Sequence, residues 1–320
     1  MLKKFTISEC KVVECAEGNA SILVYLNPDA AELKQLEAIG IDSHNLASAM
    51  DPDELGRAEF EPDHVALILK RPKNYSSEDD FLFKVMSMGL FLFKDKLVLI
   101  RSDEVNLFEG KLFTGVNSLT GVMLKIFYGI ISHFLSHLKV ISMISDSLEQ
   151  KINQSMENKY LFNMFTLEKS LVYYLNATNS NATVIDKLKI NGSKFHFNAE
   201  DLEFVDDLII ESRQCAKQAE IHSNVLASLM DARASIVNNN LNVWIKQLTL
   251  ISIVFMPLNV IAGIGGMSEF SMMTHGIPWP LAYACFTIGL VPIGFITYWV
   301  IVGFGPEGRA RKKARRKMLD

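Results

Sequence analysis

Two long segments without a charged residue lie close together near the C-terminus of this 320-residue chain. Residues 248–267 form the first segment and residues 277–306 the second. About 20 apolar residues in a helix cross the hydrocarbon core of a bilayer, so both segments are long enough. Trp244, Trp279 and Trp299 stand near their ends, where indole rings favour the membrane interface. The sequence therefore predicts a membrane protein with two transmembrane helices.

The charges along the chain predict its orientation. Residues 305–320 contain seven Arg or Lys and two acidic residues, a net charge of +5, whereas the whole chain carries −4. Basic residues beside a transmembrane helix stay in the cytoplasm, so we expect this tail there. Two crossings return the N-terminal part to the same side. We therefore expect a multi-pass membrane protein with both termini cytoplasmic.

The cysteines and the N-terminus agree with a cytoplasmic location for most of the chain. Cys10, Cys15, Cys215 and Cys285 have neither the spacing of a zinc site nor that of a disulfide framework. Residues 1–11 have no apolar core of the kind a signal peptide needs.

The first 115 residues mix short apolar runs with turns, which predicts an α/β domain. Residues 29–39 and 43–50 are predicted helices, the first with Asp29 favouring its N-terminus. Three runs bounded by Gly, Pro, Asn or Asp are typical of strands: 21–26, 64–70 and 97–101. The order of the strands does not follow from the sequence.

The middle of the chain reads as long helices. Residues 119–175 lack proline, and their apolar residues recur every three or four positions, as in an amphipathic helix continued by a second one. Turns are expected at 176–181 and 191–193. Asn198 is placed to cap a further helix, and no proline follows until Pro257. That helix should begin in water and end in lipid.

The first transmembrane segment carries much of its polarity on one face. Steps of three and four residues select this face: Asn242, Ile245, Thr249, Ser252, Met256, Asn259 and Gly263. Polar side chains in lipid face a partner helix or water, so two explanations fit. Several copies of the helix enclose a pathway, or one copy packs on its neighbour through small residues. The only acidic residue between Arg233 and Pro306 is Glu269, so such a pathway would suit a largely hydrated cation.

Residues 242–267, NVWIKQLTLISIVFMPLNVIAGIGGM, closely resemble the first transmembrane helix of the CorA family of divalent-cation channels. The FMPLxxIAGIxGM core is specific, and the short loop, second helix and basic tail follow in the family's order. The resemblance runs from about residue 20 to the end, weakly in the α/β part. It implies a homopentameric funnel in which five copies of the first helix form the pore and the cytoplasmic domain senses Mg²⁺.

The resemblance also implies roles for individual residues. Asn242 falls at the cytoplasmic mouth, Ile245, Leu248 and Met256 at hydrophobic-gate positions, and Asn259 and Gly263 farther out along the pore. Asp231 resembles an acidic position where family members bind a regulatory divalent cation between subunits, and Asp207 resembles a second such position. For Asp206 and Asp207 a solvated helix face is the open alternative.

The chain departs from the family signature Gly-Met-Asn, because Gly266-Met267-Ser268 stands in its place. Serine keeps an oxygen but loses the amide. Gly265 occupies a position that usually holds an aromatic residue. Glu269 and His275, in the expected periplasmic loop, offer groups that attract cations or bind softer ones such as Zn²⁺. The sequence therefore does not decide which cation is selected or whether the chain conducts ions.

No enzymatic motif is evident in the sequence. His133 and His137, in HFLSH, have a spacing that can hold Zn²⁺, but the Glu of the metalloprotease motif is missing, and two unrelated histidines are the simpler explanation. We find no phosphate loop and no nucleophile elbow. We therefore expect neither an enzyme nor a resident cofactor. The expected partners are copies of this chain, the lipid bilayer and divalent metal ions, with no nucleic acid.

The sequence thus predicts an α+β membrane protein that is an inner-membrane channel for divalent cations, first Mg²⁺, gated by cytoplasmic divalent cation. Two alternatives stay open: a Zn²⁺, Co²⁺ or Ni²⁺ transporter resembling the ZntB branch, and a non-conducting membrane-anchored metal sensor or scaffold. The predicted regions are a cytoplasmic α/β domain at 1–115, a helical stalk at 116–240, the stalk end and pore helix at 241–267, a periplasmic loop at 268–276, a second transmembrane helix at 277–305 and a basic tail at 306–320.

Overall fold

The computed structural model divides the chain into two compact units, Met1–Asp231 and Ala232–Asp320. The structure describes residues 1–15, 20–76, 79–103, 107–108, 111–154, 158–195 and 197–304. The predicted basic tail at 306–320 lies outside the described residues.

A seven-stranded mixed sheet forms the frame of the first unit. Its strands are β1 (Leu2–Ser8), β2 (Lys11–Glu14), β3 (Ile22–Leu26), β4 (Arg57–Phe60), β5 (His64–Pro72), β6 (Val85–Phe93) and β7 (Leu97–Arg101). They are ordered β2-β1-β3-β7-β6-β5-β4. Strands β3 and β7 pair in parallel, with Ile22 opposite Leu97, and the other described pairs are antiparallel. The three predicted strands are confirmed as β3, β5 and β7.

Two short helices, α1 (Ala30–Ala38) and α2 (Ser43–Met50), cover one face of the sheet. Asp29 caps α1, since its carboxylate accepts hydrogen bonds from the backbone N–H groups of Ala31 and Glu32, and the Glu32 carboxylate bonds the N–H of Asp29 in return. Both helices are therefore confirmed. A β-carbon at Gly89 would come within 2.5 Å of Ala49, so glycine lets α2 approach β6 closely.

Long helices cover the other face. These are α3 (Leu119–Gln154), α4 (Asn158–Ile190) and the first part of α5 (Ala199–Gly265). Strand β7 shows why its sequence is continuously apolar: Leu97 and Leu99 pack on the long-helix side, while Val98 and Ile100 pack on the short-helix side. A strand buried on both faces needs apolar residues at every position.

The predicted turn at 176–181 is wrong, because α4 continues through it. Two of its polar residues, Ser180 and Asn181, bond other segments, whereas Asn176 and Asn179 are exposed. The Asn181 carboxamide accepts a bond from the backbone N–H of Lys70 at 2.8 Å and donates one to its carbonyl at 2.6 Å. The Ser180 hydroxyl accepts a bond from the N–H of Gly56. The expected turn at 191–193 is confirmed, since α4 ends at Ile190 and a 3₁₀ turn follows at Gly192–Phe195.

Helix α5 begins where the sequence predicts. The Asn198 side chain accepts a hydrogen bond from the N–H of Asp201 at 2.7 Å, and the Asp201 carboxylate accepts one from the N–H of Asn198 at 3.1 Å. This reciprocal cap satisfies donors that the first helical turn leaves free. The helix runs for 67 residues with Pro257 inside it and passes from the first unit into the second.

The second unit contains the end of α5, a short helix α6 (Ser268–Met273) and α7 (Trp279–Phe304). Among the described residues, three helices are long and apolar enough to cross a membrane, namely α3, α5 and α7. They differ in burial: 44% of the most apolar window is buried in α3, against 6% in α5 and none in α7. The apolar face of α3 belongs to the core of the first unit, whereas those of α5 and α7 are exposed.

Candidate functional site

All eight residues predicted to line a pore lie in α5 and are exposed in the single chain. They are Asn242, Ile245, Leu248, Thr249, Ser252, Met256, Asn259 and Gly263. Successive helix residues are rotated by about 100°, which places seven of them on one face and Leu248 at its margin. We call this set of eight the α5 stripe.

The α5 stripe points away from the contact between α5 and α7. Leu258 and Gly265 form that contact, and both lie on the opposite side of α5 by the helical rotation. Leu258 lines a cavity of about 400 Å³ together with residues of α7, and a β-carbon added at Gly294 would lie 3.4 Å from its Cδ1. Gly265 lies beside the tip of the Phe286 ring, since an added β-carbon would come within 2.5 Å of Cζ. Within one chain, therefore, α7 covers the opposite face of α5 and leaves the stripe exposed.

The two hydroxyl groups of the stripe donate their hydrogens to carbonyl groups of their own helix. Thr249 donates its hydroxyl hydrogen to the carbonyl of Ile245 at 2.8 Å, and Ser252 donates to the carbonyl of Leu248 at 3.0 Å. Because each hydrogen is used within the helix, each oxygen is left as an acceptor. Such a surface suits cations and the water molecules around them better than anions.

The tripeptide Gly266-Met267-Ser268, which the sequence analysis compared with the family signature, lies just beyond the end of α5. The N–H of Gly266 bonds the carbonyls of Ala262 and Gly263, and α6 begins at Ser268. The Ser268 hydroxyl donates to the Glu269 carboxylate at 3.2 Å. Glu269, Met267 and His275 are exposed. The hydroxyl of Ser268 and the carboxylate of Glu269 are thus hydrogen-bonded to each other at an exposed position.

An aromatic side chain of α7 fills the place that Gly265 leaves open. A β-carbon at Gly265 would come within 2.5 Å of Cζ of Phe286. The Phe286 ring also packs on Phe270, with centroids 5.2 Å apart, and Phe270 packs edge-on against Tyr283. The sequence analysis missed Phe286, and its only signal is the missing aromatic residue at position 265.

The two acidic residues predicted to bind regulatory cation do not meet within one chain. Asp207 and Asp231 are both exposed on α5, and their separation of 24 positions corresponds to about 36 Å of helix. Among the described residues, no group of three or more His, Cys, Asp or Glu is placed to hold a metal ion. Asp206, beside Asp207, pairs with Lys189 at 2.6 Å.

Comparison with known proteins decides the family. A family model described as CorA-like Mg²⁺ transporter protein matches residues 18–311. The chain belongs to the CorA family. The prediction made from residues 242–267 is thereby confirmed, and membership places the chain among transmembrane metal-ion transporters.

Individual members of the CorA family agree with this assignment. The cobalt/magnesium transport protein CorA of Methanocaldococcus jannaschii is 25% identical over 253 residues, which cover 76% of this chain and 78% of that protein. The complete structure of the CorA magnesium transporter from the same organism superposes with a TM-score of 0.74 at 21% identity, covering 95% of this chain and 97% of the other.

The fold of the soluble part also occurs in a ZntB protein. The ZntB cytoplasmic domain from Vibrio parahaemolyticus superposes with a TM-score of 0.57 at 12% identity, over 74% of this chain and 98% of that one. The CorA-family chain therefore combines a soluble domain of this fold with the long helices of a full-length CorA transporter.

Proposed function

We propose that this chain is a divalent-cation channel of the bacterial inner membrane, with Mg²⁺ as its first substrate, built as a homopentamer around five α5 helices. The observation that carries the proposal is the exposed α5 stripe, which faces away from α7. In lipid, an uncovered row of Asn, Thr and Ser side chains is costly unless it faces water or other copies of itself. In a ring of α5 helices, these side chains would face water in the centre and neighbouring copies of the same helix.

The difference in burial supports two membrane crossings. Helix α3 uses its apolar face in the core of the first unit, so that face is not available to lipid. Helices α5 and α7 have exposed apolar surfaces that require another environment. With α5 and α7 as the two crossings, both ends of the chain lie in the cytoplasm.

The chemistry of the stripe supports passage of a hydrated cation. Asn242, Thr249 and Asn259 offer amide and hydroxyl oxygens, while Ile245 and Met256 narrow the pathway between them. Mg²⁺ loses its water reluctantly, and neutral oxygens can bind its hydration shell without holding the ion tightly. Glu269 lies outside the stripe and would raise the local concentration of cations by its charge.

Regulation by cytoplasmic Mg²⁺ would act between subunits. Asp207 and Asp231 lie too far apart on α5 to share one ion within a chain. Each carboxylate therefore needs a ligand from a neighbouring subunit. A cation bound there would hold adjacent subunits together and favour the closed pore.

A second candidate is transport of Zn²⁺, Co²⁺ or Ni²⁺, favoured by the exposed imidazole of His275, which follows α6. Imidazole is a better ligand for Zn²⁺, Co²⁺ and Ni²⁺ than it is for Mg²⁺. A non-conducting sensor would share the same soluble domain. A Mg²⁺ channel, a transporter of Zn²⁺, Co²⁺ or Ni²⁺ and a non-conducting sensor differ in which ions, if any, cross the membrane.

Flux measurements separate these alternatives. The purified protein is reconstituted in liposomes that contain dyes for Mg²⁺ and Zn²⁺, under an inside-negative potential, beside the variant Ser268→Asn. We expect Mg²⁺ flux in the unaltered chain, and preferred Zn²⁺ flux would instead support the second candidate. Flux only in Ser268→Asn would indicate a sensor that has lost conduction. Flux in neither protein would refute the channel.

A further inference from the structure

Two arginines of the sheet lie on the face that the long helices cover. Arg71 is opposite Met86 in the pairing of β5 with β6, and Arg101 is opposite Met88 in the pairing of β6 with β7. Residues that pair across strands lie on one face, as do residues two apart along a strand. Leu99, two residues before Arg101, packs on the long-helix side. Both arginine side chains are more than nine-tenths buried there, with 7% of Arg71 and 4% of Arg101 exposed.

One carboxylate oxygen accepts hydrogen bonds from both guanidinium groups. A terminal nitrogen of Arg71 donates to Oδ1 of Asp103, and two nitrogens of Arg101 donate to the same atom at 3.1 Å and 2.8 Å. Because a carboxylate oxygen has two lone pairs, three donors exceed what it accepts well. Nε of Arg71 is buried and makes no hydrogen bond with any residue that the structure describes. The guanidinium of Arg71 is therefore short of acceptors.

The electrostatic surroundings of Arg71 favour an additional negative charge. Burial and the nearby charge of Arg101 lower the pKa of Arg71, and Asp103 opposes them. The half-buried His133 of α3 is affected by the same positive charge. Burial and then the charge of Arg71 lower the pKa of His133, and the effect of Arg71 exceeds the opposite effect of Asp103. An anion beside Arg71 would stabilise the charged guanidinium, whereas a cation would destabilise it further.

A cavity of about 250 Å³ lies beside these groups, between the sheet and α3. None of its described lining residues is acidic. Its polar lining residues are Arg71, Asn74, Arg101 and His133. The other lining residues are apolar or glycine, among them Ile126 and Ile130 of α3. Pockets for small molecules combine a mostly apolar lining with a few placed polar groups, and here two of the polar groups are cations.

We propose that this cavity binds a small organic anion, whose single carboxylate or phosphate group contacts the guanidinium of Arg71 and whose apolar body lies against Ile126 and Ile130. A planar guanidinium matches the geometry of both oxyanions. The site prefers the opposite charge from the α5 stripe, and it does not depend on conduction. Because the bound anion would contact both β5 and α3, it should stabilise the first unit.

Binding of benzoate and phenyl phosphate to the full-length protein in a non-ionic detergent tests this proposal. Each probe has one oxyanion on an aromatic body, and benzyl alcohol is the neutral counterpart. Calorimetry should show about one bound anion per chain for at least one of the two, and the tighter binder identifies the preferred oxyanion. Benzyl alcohol should bind at least about tenfold more weakly, because it lacks the charge. The bound anion should also raise the melting temperature.

Two variants should weaken binding by different routes. Arg71→Gln removes the charge and should weaken binding by about tenfold or more. Gly129→Leu keeps every charge and adds a side chain at a residue that lines the cavity. It should fold, because leucine favours a helix more than glycine does and the atom nearest to a β-carbon there would be Cδ2 of Leu112, at 3.3 Å. Circular dichroism and the melting temperature without ligand verify the fold of both variants.

Arg213→Gln is the matched control, because it removes an exposed guanidinium that pairs with Asp186 on the surface. It should bind the anion like the unaltered chain. Equal binding by Arg71→Gln and the unaltered chain would overturn the proposal, and undiminished binding by Gly129→Leu would place the anion outside the cavity. Benzyl alcohol that binds as tightly as the anions would reduce the site to an apolar cavity. A lack of binding of both anions up to millimolar concentration would also refute the proposal.

Discussion

The ring of Phe286 lies against the α-carbon of Gly265, so close that a β-carbon there would be 2.5 Å from Cζ of the ring. The contact joins the end of α5 to α7 within the second unit. Position 265, where the resemblance to the family would place an aromatic residue, holds a glycine. An aromatic group reaches this position from α7 instead.

Gly265→Ala should therefore destabilise the helical hairpin. The added methyl group must displace Phe286 or shift α7, and overpacking of this kind costs about 1–3 kcal/mol. We expect a lower melting temperature in detergent, with part of the loss recovered in Gly265→Ala/Phe286→Leu. Gly289→Ala in α7 is the control, because its β-carbon would meet nothing within 4 Å. An unchanged melting temperature in Gly265→Ala would contradict the close contact.

A second stability prediction concerns the helix that replaced the expected turn at 176–181. Asn181 is the only described side chain bonded to both the N–H and the carbonyl of Lys70, and it is buried. Asn181→Ala leaves these two groups without partners, at a cost of about 2–4 kcal/mol. Urea unfolding should show the loss, whereas Asn179→Ala, two residues earlier and exposed, should have little effect. Similar midpoints for the two variants would refute this role.

These two contacts show where the sequence was sufficient and where it was not. The caps at Asp29 and Asn198 rest on neighbours within three residues, so the sequence alone predicted them. The helical state of 176–181 depends on Gly56 and Lys70, more than a hundred residues earlier, and no local pattern contains that information.

The strands missed by the sequence analysis have the same explanation. Strand β6 contains Gly89 in its middle, a residue that weakens a strand prediction. Glycine is needed at this position because Ala49 of α2 approaches it closely, a contact that is visible only in the folded chain. The order of the sheet follows from long-range pairing and could not be predicted. Seven residues of the α5 stripe, by contrast, were found by periodicity and Leu248 by the family resemblance, although the roles of all eight stay predictions.

Removal of the Asp231 carboxylate should weaken inhibition by cytoplasmic Mg²⁺. If neighbouring subunits share a cation there, Asp231→Asn removes one charged ligand, and the inhibitory Mg²⁺ concentration should rise by about tenfold or more. Asp207→Asn should act in the same direction.

Asp206→Asn is the matched control for this change. Asp206 lies beside Asp207 on α5, but it pairs with Lys189 at the surface, where such pairs contribute little. The measurement is flux into liposomes as a function of Mg²⁺ on the cytoplasmic side. Equal inhibition of Asp231→Asn and Asp206→Asn would rule out Asp231 as a regulatory ligand.

Two threonines with the same local geometry test whether the α5 stripe lines the pathway. Thr249 on α5 donates its hydroxyl to Ile245, and Thr287 on α7 donates to Tyr283, both at 2.8 Å and both to the carbonyl four residues earlier. Replacement by valine keeps the shape and removes one oxygen in each case. In a pentamer, Thr249→Val removes a ring of five oxygens from the pore, whereas Thr287→Val changes only a helix outside it.

We therefore expect Thr249→Val to lower Mg²⁺ flux by about tenfold, the equivalent of about 1.4 kcal/mol in the barrier, and Thr287→Val to leave it unchanged. Asn259→Leu should reduce flux further, because an amide is lost from each subunit as well. The three variants are compared at equal amounts of reconstituted protein and with circular dichroism to verify their helices. If Thr249→Val and Thr287→Val conduct alike, the stripe serves helix packing, and the cation passes elsewhere.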